Sequence, residues 1–258
     1  PWLVCFHGFP TSSWDWHRLV PLIRDQFRIL VFDFPGYGLS EKPTSRDYSI
    51  LRQLDAALAL LRHLQISEYH LLAHDMGDTV ACELMHRMQA GEVKDGPLSV
   101  TLLNGGLYPE LHQPLPTQRA LRTPVIGALT ARFASWRLFR HQYPRVYADP
   151  DSFSLEHYRE QWALMLHNGG RNVLHRVAGY MPERIRRRER WLGALHRHEG
   201  PLQLIWGDQD PIAVSDMPRR LLQDRQGVDL HMLEGIGHYP QLENPQSVFE
   251  HLRSFVFH

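Results

Sequence analysis

The fold is decided by residues 71–79, Leu-Leu-Ala-His-Asp-Met-Gly-Asp-Thr. An apolar strand runs into this stretch, and a helical pattern follows it. Two small residues, Ala73 and Gly77, stand two positions either side of Asp75. This is the spacing of a nucleophile elbow, the sharp strand-to-helix turn that presents a nucleophile at the end of a parallel sheet. The central residue of such a turn is usually Ser, and here it is Asp75.

An aspartate at this position changes the expected chemistry. A carboxylate can attack carbon and form an ester with the protein. It is a poor acyl-transfer nucleophile, because the product would be an unstable anhydride. Asp75 therefore favours displacement at saturated carbon over ester or amide cleavage. An Asp between a strand and a helix can also be a simple N-cap, and this alternative stays beside the catalytic one.

Composition limits the class of protein. The chain has 258 residues, 43% of them apolar and 22% charged, as in an ordinary globular protein. Lys+Arg and Asp+Glu both number 28, so the net charge gives no reason to expect nucleic acid or an anionic membrane as a partner. The 17 His residues are scattered without metal-ligand spacing, and we expect no metal and no organic cofactor.

The two cysteines and the lengths of the apolar runs indicate the cellular compartment that we expect for the protein. Cys5 and Cys82 lie in apolar runs, and we expect two small buried side chains rather than a disulfide. No signal peptide is visible, and no run of about 18 apolar residues could span a membrane. We therefore expect a cytoplasmic protein, although the start at Pro1, directly in a strand, suggests that a preceding segment is missing.

Strands and helices alternate along most of the chain. The strands lack a period-2 pattern, which favours an α/β fold with a mostly parallel sheet covered by helices on both faces. Residues 107–200 have almost no strand pattern. We predict a core from residues 1–106 and 201–258, with residues 107–200 as a helical cap. The expected strands are 2–6, 28–33, 69–74, 98–104, 202–206 and 228–233.

The cap ends in an Arg-rich run, residues 183–190 (Glu-Arg-Ile-Arg-Arg-Arg-Glu-Arg). Such a run could form a patch for an anionic ligand or for nucleic acid. It could equally be a solvated helix face on which glutamates neighbour the arginines. We expect the solvated face, because charge runs on helices usually lie in solvent.

Three residues follow strands in the chain order nucleophile, acid, His that is known for catalytic triads on α/β sheets. Asp75 is the candidate nucleophile, Asp210 the acid and His238 the base. Side chains at the carboxyl ends of parallel strands meet at one edge of the sheet. Asp208 competes for the acid role, and we prefer Asp210 because the loop needs a few residues to turn toward the His.

Residues 7–10 (His-Gly-Phe-Pro) directly follow the first strand. In this kind of site one backbone N–H comes from that loop, and a second comes from the residue after the nucleophile. We therefore predict an oxyanion hole formed by the N–H groups of Phe9 and Met76. Phe9, Trp14, Met76 and Leu107 should also line an apolar pocket with cap residues, so that the partner is a small hydrophobic molecule.

Five motifs together resemble the α/β-hydrolase superfamily, in the branch that holds epoxide hydrolases and haloalkane dehalogenases. They occur in order along the whole chain, and the resemblance implies the fold and the triad of this family. The motifs are HGFPTSSWDW (7–16), DFPGYGLS (33–40), HDMGD (74–78), GDQDP (207–211) and GHYPQLENP (237–245).

A closer resemblance is to the mesoderm-specific transcript protein group. It rests on residues 104–110 (NGGLYPE), on the Arg-rich run with RWLGAL (190–195), and on HYPQLE (238–243). It informs the fold more than the substrate. The wider family usually has two strands before the one that ends in His-Gly-Phe-Pro, and neither is found here. The strand at 28–33 should then be an exposed sheet edge, prone to aggregation or dimerisation.

The residues beside the candidate nucleophile bear on which leaving group the site could hold. Dehalogenases of this branch typically hold the halide with a Trp N–H directly after the nucleophile, and often with an Asn after His-Gly. This chain has Met76 and Phe9 there, and neither side chain donates a hydrogen bond. Halide release would be poorly supported unless a cap indole, from Trp136, Trp162 or Trp191, takes that part.

Epoxide opening instead needs an acid for the oxygen, which is usually a cap tyrosine in this family. Tyr180 fits the family pattern best, Tyr143 or Tyr147 is the candidate for a second acid, and Tyr158 is a further one. Each of them could also be a packed aromatic.

The resemblance favours epoxide hydrolysis to a diol through an ester on Asp75, with His238, oriented by Asp210, activating water. Three alternatives stay open. The first is a haloalkane or haloacid dehalogenase that uses the same Asp75 chemistry. The second is an esterase or lactonase in which Asp75 is a general base. The third is a non-catalytic homologue that retains the triad. The sequence does not determine the oligomeric state or the natural substrate.

Overall fold

A computed structural model describes residues 1–123 and 125–257. Its centre is a six-stranded sheet with the strand order β2-β1-β3-β4-β5-β6, in which all five neighbouring pairs are parallel. The predicted α/β fold with a parallel sheet is confirmed, and the strand bounds differ from the prediction by at most two residues. The strands are β1 (Trp2–Phe6), β2 (Arg28–Val31), β3 (Tyr69–His74), β4 (Ser99–Leu103), β5 (Leu202–Gly207) and β6 (Val228–Leu233).

Helices connect the strands, and seven of the α-helices in the described residues lie between β4 and β5, in the segment that we call the cap (residues 107–200). The core and cap boundaries themselves stay a prediction. The helices are α1 (Val20–Ile23), α2 (Ile50–His63), α3 (Met76–Gln89), α4 (Pro116–Leu121), α5 (Ile126–Arg132), α6 (Trp136–Gln142), α7 (Leu155–Leu166), α8 (Gly170–Val177), α9 (Tyr180–Arg186), α10 (Arg188–His196), α11 (Asp216–Asp224), α12 (Pro240–Glu243) and α13 (Pro245–Phe257).

Both faces of the sheet are buried. Successive residues of β1 alternate between two hydrophobic clusters, with Val4 and Phe6 in one and Leu3 and Cys5 in the other. Side chains of a strand point alternately to its two faces, so each cluster covers one face. This explains why the strands read as continuous apolar runs, since neither face needs polar residues.

The strand β2 lies at the edge of the sheet and pairs with β1 alone among the described strands. This confirms the predicted edge position. The two end residues of β2, Arg28 and Val31, are exposed and the two between them are half-buried.

The helix α3 approaches β1 very closely, because Gly77 stands at the contact. A Cβ at Gly77 would lie 2.3 Å from the backbone oxygen of Phe6. Only a glycine allows the helix to begin directly against the strand, which brings the first turn of α3 to the carboxyl edge of the sheet.

A buried carboxylate joins α3 to the cap. Glu83 accepts hydrogen bonds from Arg87 on its own helix and from Arg190 and the indole of Trp191 on α10. Burial disfavours the charge, but these donors outweigh it and lower the pKa of Glu83 to about 2. The carboxylate is therefore ionised over the whole physiological range and ties the two segments together.

The structure bears on the predictions for the two cysteines and for membrane-spanning segments. Cys5 and Cys82 are buried free thiols, as predicted. No helix in the described part of the chain is long and apolar enough to cross a bilayer.

We expect Gly77→Ala to destabilise the fold by about 1–3 kcal/mol, because the backbone of Phe6 cannot move aside as a flexible side chain can. Urea unfolding measures this change. Gly193→Ala on α10 is the matched control, since its added Cβ would meet only the end of the Arg197 side chain, at 3.0 Å. Equal unfolding midpoints for the two variants would contradict the close contact of α3 with β1.

Candidate active site

Asp75 occupies a strained turn between β3 and α3. Its backbone angles are φ 49° and ψ −105°, a region that non-glycine residues rarely adopt. Such strain costs of the order of 1–3 kcal/mol and collects at functional sites. The carboxylate is buried, and its Oδ2 accepts a hydrogen bond of 2.9 Å from the backbone N–H of Phe9. The turn therefore presents a carboxylate that already contacts a backbone donor.

His238 and Asp210 form a short buried pair. His238 Nδ1 lies 2.7 Å from Asp210 Oδ2, and both side chains are almost inaccessible. Asp210 also accepts hydrogen bonds from the amide of Asn104 (2.7 Å) and from the backbone N–H of Ile212 (2.7 Å). Burial would raise the pKa of Asp210, but His238 and these donors lower it. Asp210 is thus held ionised beside the imidazole.

The alternative acid, Asp208, has another partner. Its Oδ1 accepts a hydrogen bond from the backbone N–H of Gly235 at 2.8 Å. The geometry therefore favours Asp210 as the partner of His238. Burial would lower the pKa of His238, yet the charge of Asp210 and its hydrogen bond outweigh burial and raise it to about 9. The resting imidazole is protonated at neutral pH.

The two predicted oxyanion donors lie on either side of the Asp75 turn. The N–H of Phe9 already contacts Asp75. The N–H of Met76 is the first of α3, and the first N–H groups of an α-helix have no acceptor within the helix. A helix N-terminus also carries partial positive charge. The pair can therefore stabilise negative charge that develops on an Asp75 oxygen.

The cap tyrosines differ in their positions. The Tyr180 hydroxyl lies 3.5 Å from both Asp75 oxygens. Tyr143 lines the cavity described below. Tyr147 does not line the cavity. Its hydroxyl donates to the Tyr143 hydroxyl at 3.3 Å and lies 3.0 Å from His157 Nε2. Tyr158 donates to the backbone oxygen of Pro150. The structure thus brings Tyr180 to the nucleophile and Tyr143 to the cavity, but neither Tyr147 nor Tyr158.

A cavity of about 90 Å³ lies between the core and the cap. Most of its lining is apolar, and His238 is at its wall. The volume is well below the range of about 300–1,000 Å³ typical of pockets for drug-sized ligands. Asp75 and Tyr180 do not line it, whereas Phe9, which hydrogen-bonds to Asp75, and His238 do. The lining residues include Phe9, Pro10, Leu115, Leu121, Leu138, Phe139, Tyr143, Trp162, Met165, Leu174, Ile212, His238 and Tyr239.

Three of the residues predicted to line the pocket lie elsewhere. Trp14 is 39% exposed, and its indole donates to Glu160 at the surface, so this prediction was wrong. Met76 is buried, with its sulfur accepting a hydrogen bond from Tyr37. Leu107 contacts a separate small space beside Arg184. Of the four, only Phe9 lines the cavity.

The Arg-rich run is the predicted solvated face only in part, since Ile185, Arg186 and Glu189 are exposed whereas Arg184 is not. Arg184 on α9 is buried, and its Nε donates to the hydroxyl of Thr79 at 3.0 Å. Its Nη2 lies 3.9 Å from Asp75 Oδ1, and its guanidinium lies over the Tyr180 ring at 4.9 Å. Neither terminal nitrogen has a hydrogen-bond partner among the described residues. A cap cation therefore stands beside the candidate nucleophile.

The close approach of Arg184 depends on Gly106. A Cβ at Gly106 would overlap the guanidinium of Arg184. Other arginines of the run form ion pairs, Arg187 with Glu183 and Arg188 with Glu110. Sequence reasoning missed this division, because neighbouring arginines carry no signal that separates a buried one from exposed ones.

Further polar residues at the site were also missed. Asn104 follows β4 and holds Asp210, and the rule that side chains meet at strand ends could have found it. The His74 Nε2–H donates to the backbone oxygen of His238 at 2.8 Å, which fixes the loop of the base. Asp78 is fully buried, and burial followed by the nearby charge of Asp75 raises its pKa well above the usual value.

The His238–Asp210 pair should make folding stability depend on pH. The pKa of His238 is about 9 in the fold and 6.5 as the ordinary value, so its contribution is fully present below pH 6.5. It is lost as the pH rises through about 9. We expect the stability difference between the parent and His238→Gln, measured by urea unfolding, to shrink over this range.

The exposed His63→Gln variant is the control, and its difference from the parent should stay nearly constant. A His238→Gln difference that grows with pH would contradict the paired imidazolium.

Comparisons with known proteins agree with this geometry. A sequence profile described as the alpha/beta hydrolase fold matches residues 1–245. The mesoderm-specific transcript homolog protein of Homo sapiens is 34% identical, over 98% of this chain and 78% of its own. The putative hydrolase LipZ of Mycobacterium tuberculosis is 33% identical, over 97% of this chain and 86% of its own.

Solved structures share the fold. The haloalkane dehalogenase DbeA from Bradyrhizobium elkani superposes with a TM-score of 0.84 at 21% identity, covering 100% of this chain and 90% of its own. The epoxide hydrolase CorEH superposes with a TM-score of 0.80 at 20% identity, covering 99% and 90%. These relatives support an enzyme of the hydrolase class. The chain belongs to the α/β-hydrolase fold family.

Proposed function

We propose that this protein hydrolyses epoxides to diols through a covalent ester on Asp75. The observation that carries the proposal is the 2.9 Å hydrogen bond from the Phe9 N–H to Asp75 Oδ2. Oxyanion donors act at 2.7–3.1 Å from the oxygen that becomes charged, as a rough geometric guide. A donor already on Oδ2 therefore suits a reaction in which this oxygen becomes the ester carbonyl.

In the first step, Asp75 Oδ1 attacks a ring carbon of the epoxide and the C–O bond of that carbon breaks. The released oxygen takes the proton of a cap tyrosine, and Tyr180 is the candidate because its hydroxyl lies 3.5 Å from the carboxylate. Burial and the charge of Asp75 raise the pKa of Tyr180 well above its usual value, so its proton is present at rest. Tyr143 in the cavity wall is the candidate for a second donor.

In the second step, His238 removes a proton from water, and the resulting hydroxide attacks the ester carbonyl of Asp75. The tetrahedral oxyanion is held by the N–H groups of Phe9 and Met76, and loss of one such donor costs about 3–4 kcal/mol in comparable sites. The ester bond to the substrate oxygen breaks, and this oxygen takes the proton from His238 to complete the diol. Asp75 is left as a carboxylic acid, and its proton returns to the Tyr180 phenolate, which restores both groups.

The protonation state of His238 changes during this cycle. The charge of Asp75 helps to raise the pKa of the imidazole in the resting site. Formation of the ester removes that charge, so the pKa of His238 falls once the substrate is bound covalently. This fall favours the neutral imidazole that the second step needs.

The distribution of hydrogen-bond donors supports epoxide opening over halide release. The indole of Trp191 is taken up by Glu83, so it is not free to hold a halide. Trp162 does line the cavity. Met76, which stands where dehalogenases of the family have a Trp, offers only a sulfur that accepts from Tyr37. Tyr180 is therefore the side-chain hydroxyl best placed for a departing oxygen.

Dehalogenation stays the second candidate because of Arg184. Its terminal nitrogens have no hydrogen-bond partner in the described residues, and Nη2 is 3.9 Å from Asp75 Oδ1. A cation with free donors could receive a departing halide as well as an alkoxide. Halide release from chloroalkanes, measured beside diol formation from terminal epoxides, separates the two reactions.

A single turnover in ¹⁸O-labelled water tests the covalent step. We expect the label in the Asp75 carboxylate and an unlabelled diol, because the water oxygen enters the ester carbonyl. Mass spectrometry of the peptide that contains Asp75 reads this directly. Asp75→Asn should be inactive and keep the unfolding midpoint of the parent. Label found in the diol alone during the first turnover would mean direct water attack and refute the ester.

The role of Tyr180 is tested by its phenylalanine variant. We expect Tyr180→Phe to lower kcat for epoxide opening by roughly 10²–10⁴-fold, the usual contribution of a positioned acid. Tyr158→Phe is the matched control, since the Tyr158 hydroxyl contacts only the backbone of Pro150, and its kcat should stay near that of the parent. Similar rates for both variants would remove Tyr180 from the mechanism.

A further inference from the structure

The helix α5 exposes its large apolar side chains. Gly127 and Ala131 are buried, and a Cβ at Gly127 would already touch the backbone of Leu121 and the side chain of His175. The larger Ile126 and Leu129 on the same helix are each 54% exposed. An amphipathic helix of a globular domain normally buries its large apolar residues. Gly127 and Ala131 instead face the cap interior, while Ile126 and Leu129 face solvent.

The exposed apolar surface continues on both sides of α5. Val125 before the helix is 76% exposed, and Phe133 after it is 72% exposed. Leu138 on α6 is also exposed. We call this set the α5 patch (Val125, Ile126, Leu129, Phe133 and Leu138). A contiguous apolar surface of this kind usually marks a site of interaction, because single exposed apolar residues are normally scattered.

The α5 patch lies in a segment of one charge sign. Residues 111–148 contain six arginines and no Asp, Glu or Lys, while the whole chain has no net charge. The rest of the chain therefore has a net charge of −6, from 28 acidic and 28 − 6 = 22 basic residues. Five of the six arginines are exposed, and none has a carboxylate at ion-pair distance among the described residues. They are Arg119, Arg122, Arg132, Arg137, Arg140 and Arg145.

We propose that the α5 patch docks on the surface of an anionic phospholipid bilayer. Exposed leucine, isoleucine and phenylalanine in the same segment as exposed arginines without ion pairs match both parts of such a surface, the acyl boundary and the negative headgroups. A second copy bound through the same patch is disfavoured, because it would bring twelve like-charged arginines together. An acidic protein would also match the arginines, and absence of binding to anionic vesicles would leave this partner in place of the bilayer.

The docked face also holds part of the cavity. Leu138 belongs both to the α5 patch and to the cavity lining, and the nearby Ala134 and Ser135 also line the cavity. A bilayer on this face would meet the cavity that reaches His238. An apolar molecule dissolved in the lipid could then enter without crossing water. The docking itself does not depend on which bond the site breaks.

Flotation with vesicles tests the docking. The parent protein is mixed with vesicles of phosphatidylcholine alone, and with vesicles of equimolar phosphatidylcholine and phosphatidylserine. We expect binding to the anionic vesicles that weakens as salt is added, and little binding to the neutral ones. Leu129→Gln with Phe133→Gln should abolish it. Arg132→Gln with Arg137→Gln should weaken it roughly thirtyfold, since each arginine near such a surface contributes about fivefold.

The matched control variants lie outside the positively charged segment 111–148. Leu222→Gln replaces an exposed leucine of α11, and Arg24→Gln with Arg219→Gln removes two exposed arginines outside the cap. These variants should bind as the parent does. Absence of binding to the anionic vesicles, or equal loss in the control variants, would overturn the proposal. Self-association in size exclusion that Phe133→Gln removes would also overturn it, in favour of a protein partner.

Discussion

The structure depends on one backbone constraint, the tight turn at Asp75. The chain passes there from β3 into α3 with a positive φ, and it lies so close to β1 that only a glycine fits at position 77. Gly8 on the other side is equally tight, since a Cβ there would lie 2.9 Å from the Cβ of Asp75. These contacts bring the Phe9 N–H onto the Asp75 carboxylate. The turn, the Phe9 donor and the Asp75 carboxylate are therefore coupled through direct contacts.

The negative and positive side-chain charges near this turn nearly cancel. Asp75, Asp78 and Asp210 are buried carboxylates, and Arg184 and the protonated His238 are the cations near them. The raised pKa of Asp78 indicates that burial and the charge of Asp75 disfavour its ionisation. The two other carboxylates, Asp75 and Asp210, face the two cations Arg184 and His238. Loss of the Asp75 charge on ester formation would leave an excess positive charge beside any oxyanion.

Much of the fold and of the candidate site could be predicted from the sequence, because strand ends and glycine spacings are local features. Motifs of a few residues predict the turn at Asp75 and the chain order of the candidate triad residues that follow the strands. They also predict the pair of Asp210 with His238. Arg184 and Trp14 could not be read in this way. An arginine among four others, and a tryptophan in an apolar motif, become buried or exposed only through contacts with distant segments. Composition likewise concealed the separation of charge, because a positive cap segment and a negative remainder sum to zero.

The buried Glu83 joint has a geometric consequence. Glu83 lies eight residues after Asp75, which at 1.5 Å per residue is a span of about 12 Å along α3 and the turn before it. The same carboxylate holds Arg190 and Trp191, which follow Tyr180 on the next helix of the cap. The position of Tyr180 relative to Asp75 is thus tied to the length of α3 through the Glu83 joint and through the cap helices α9 and α10.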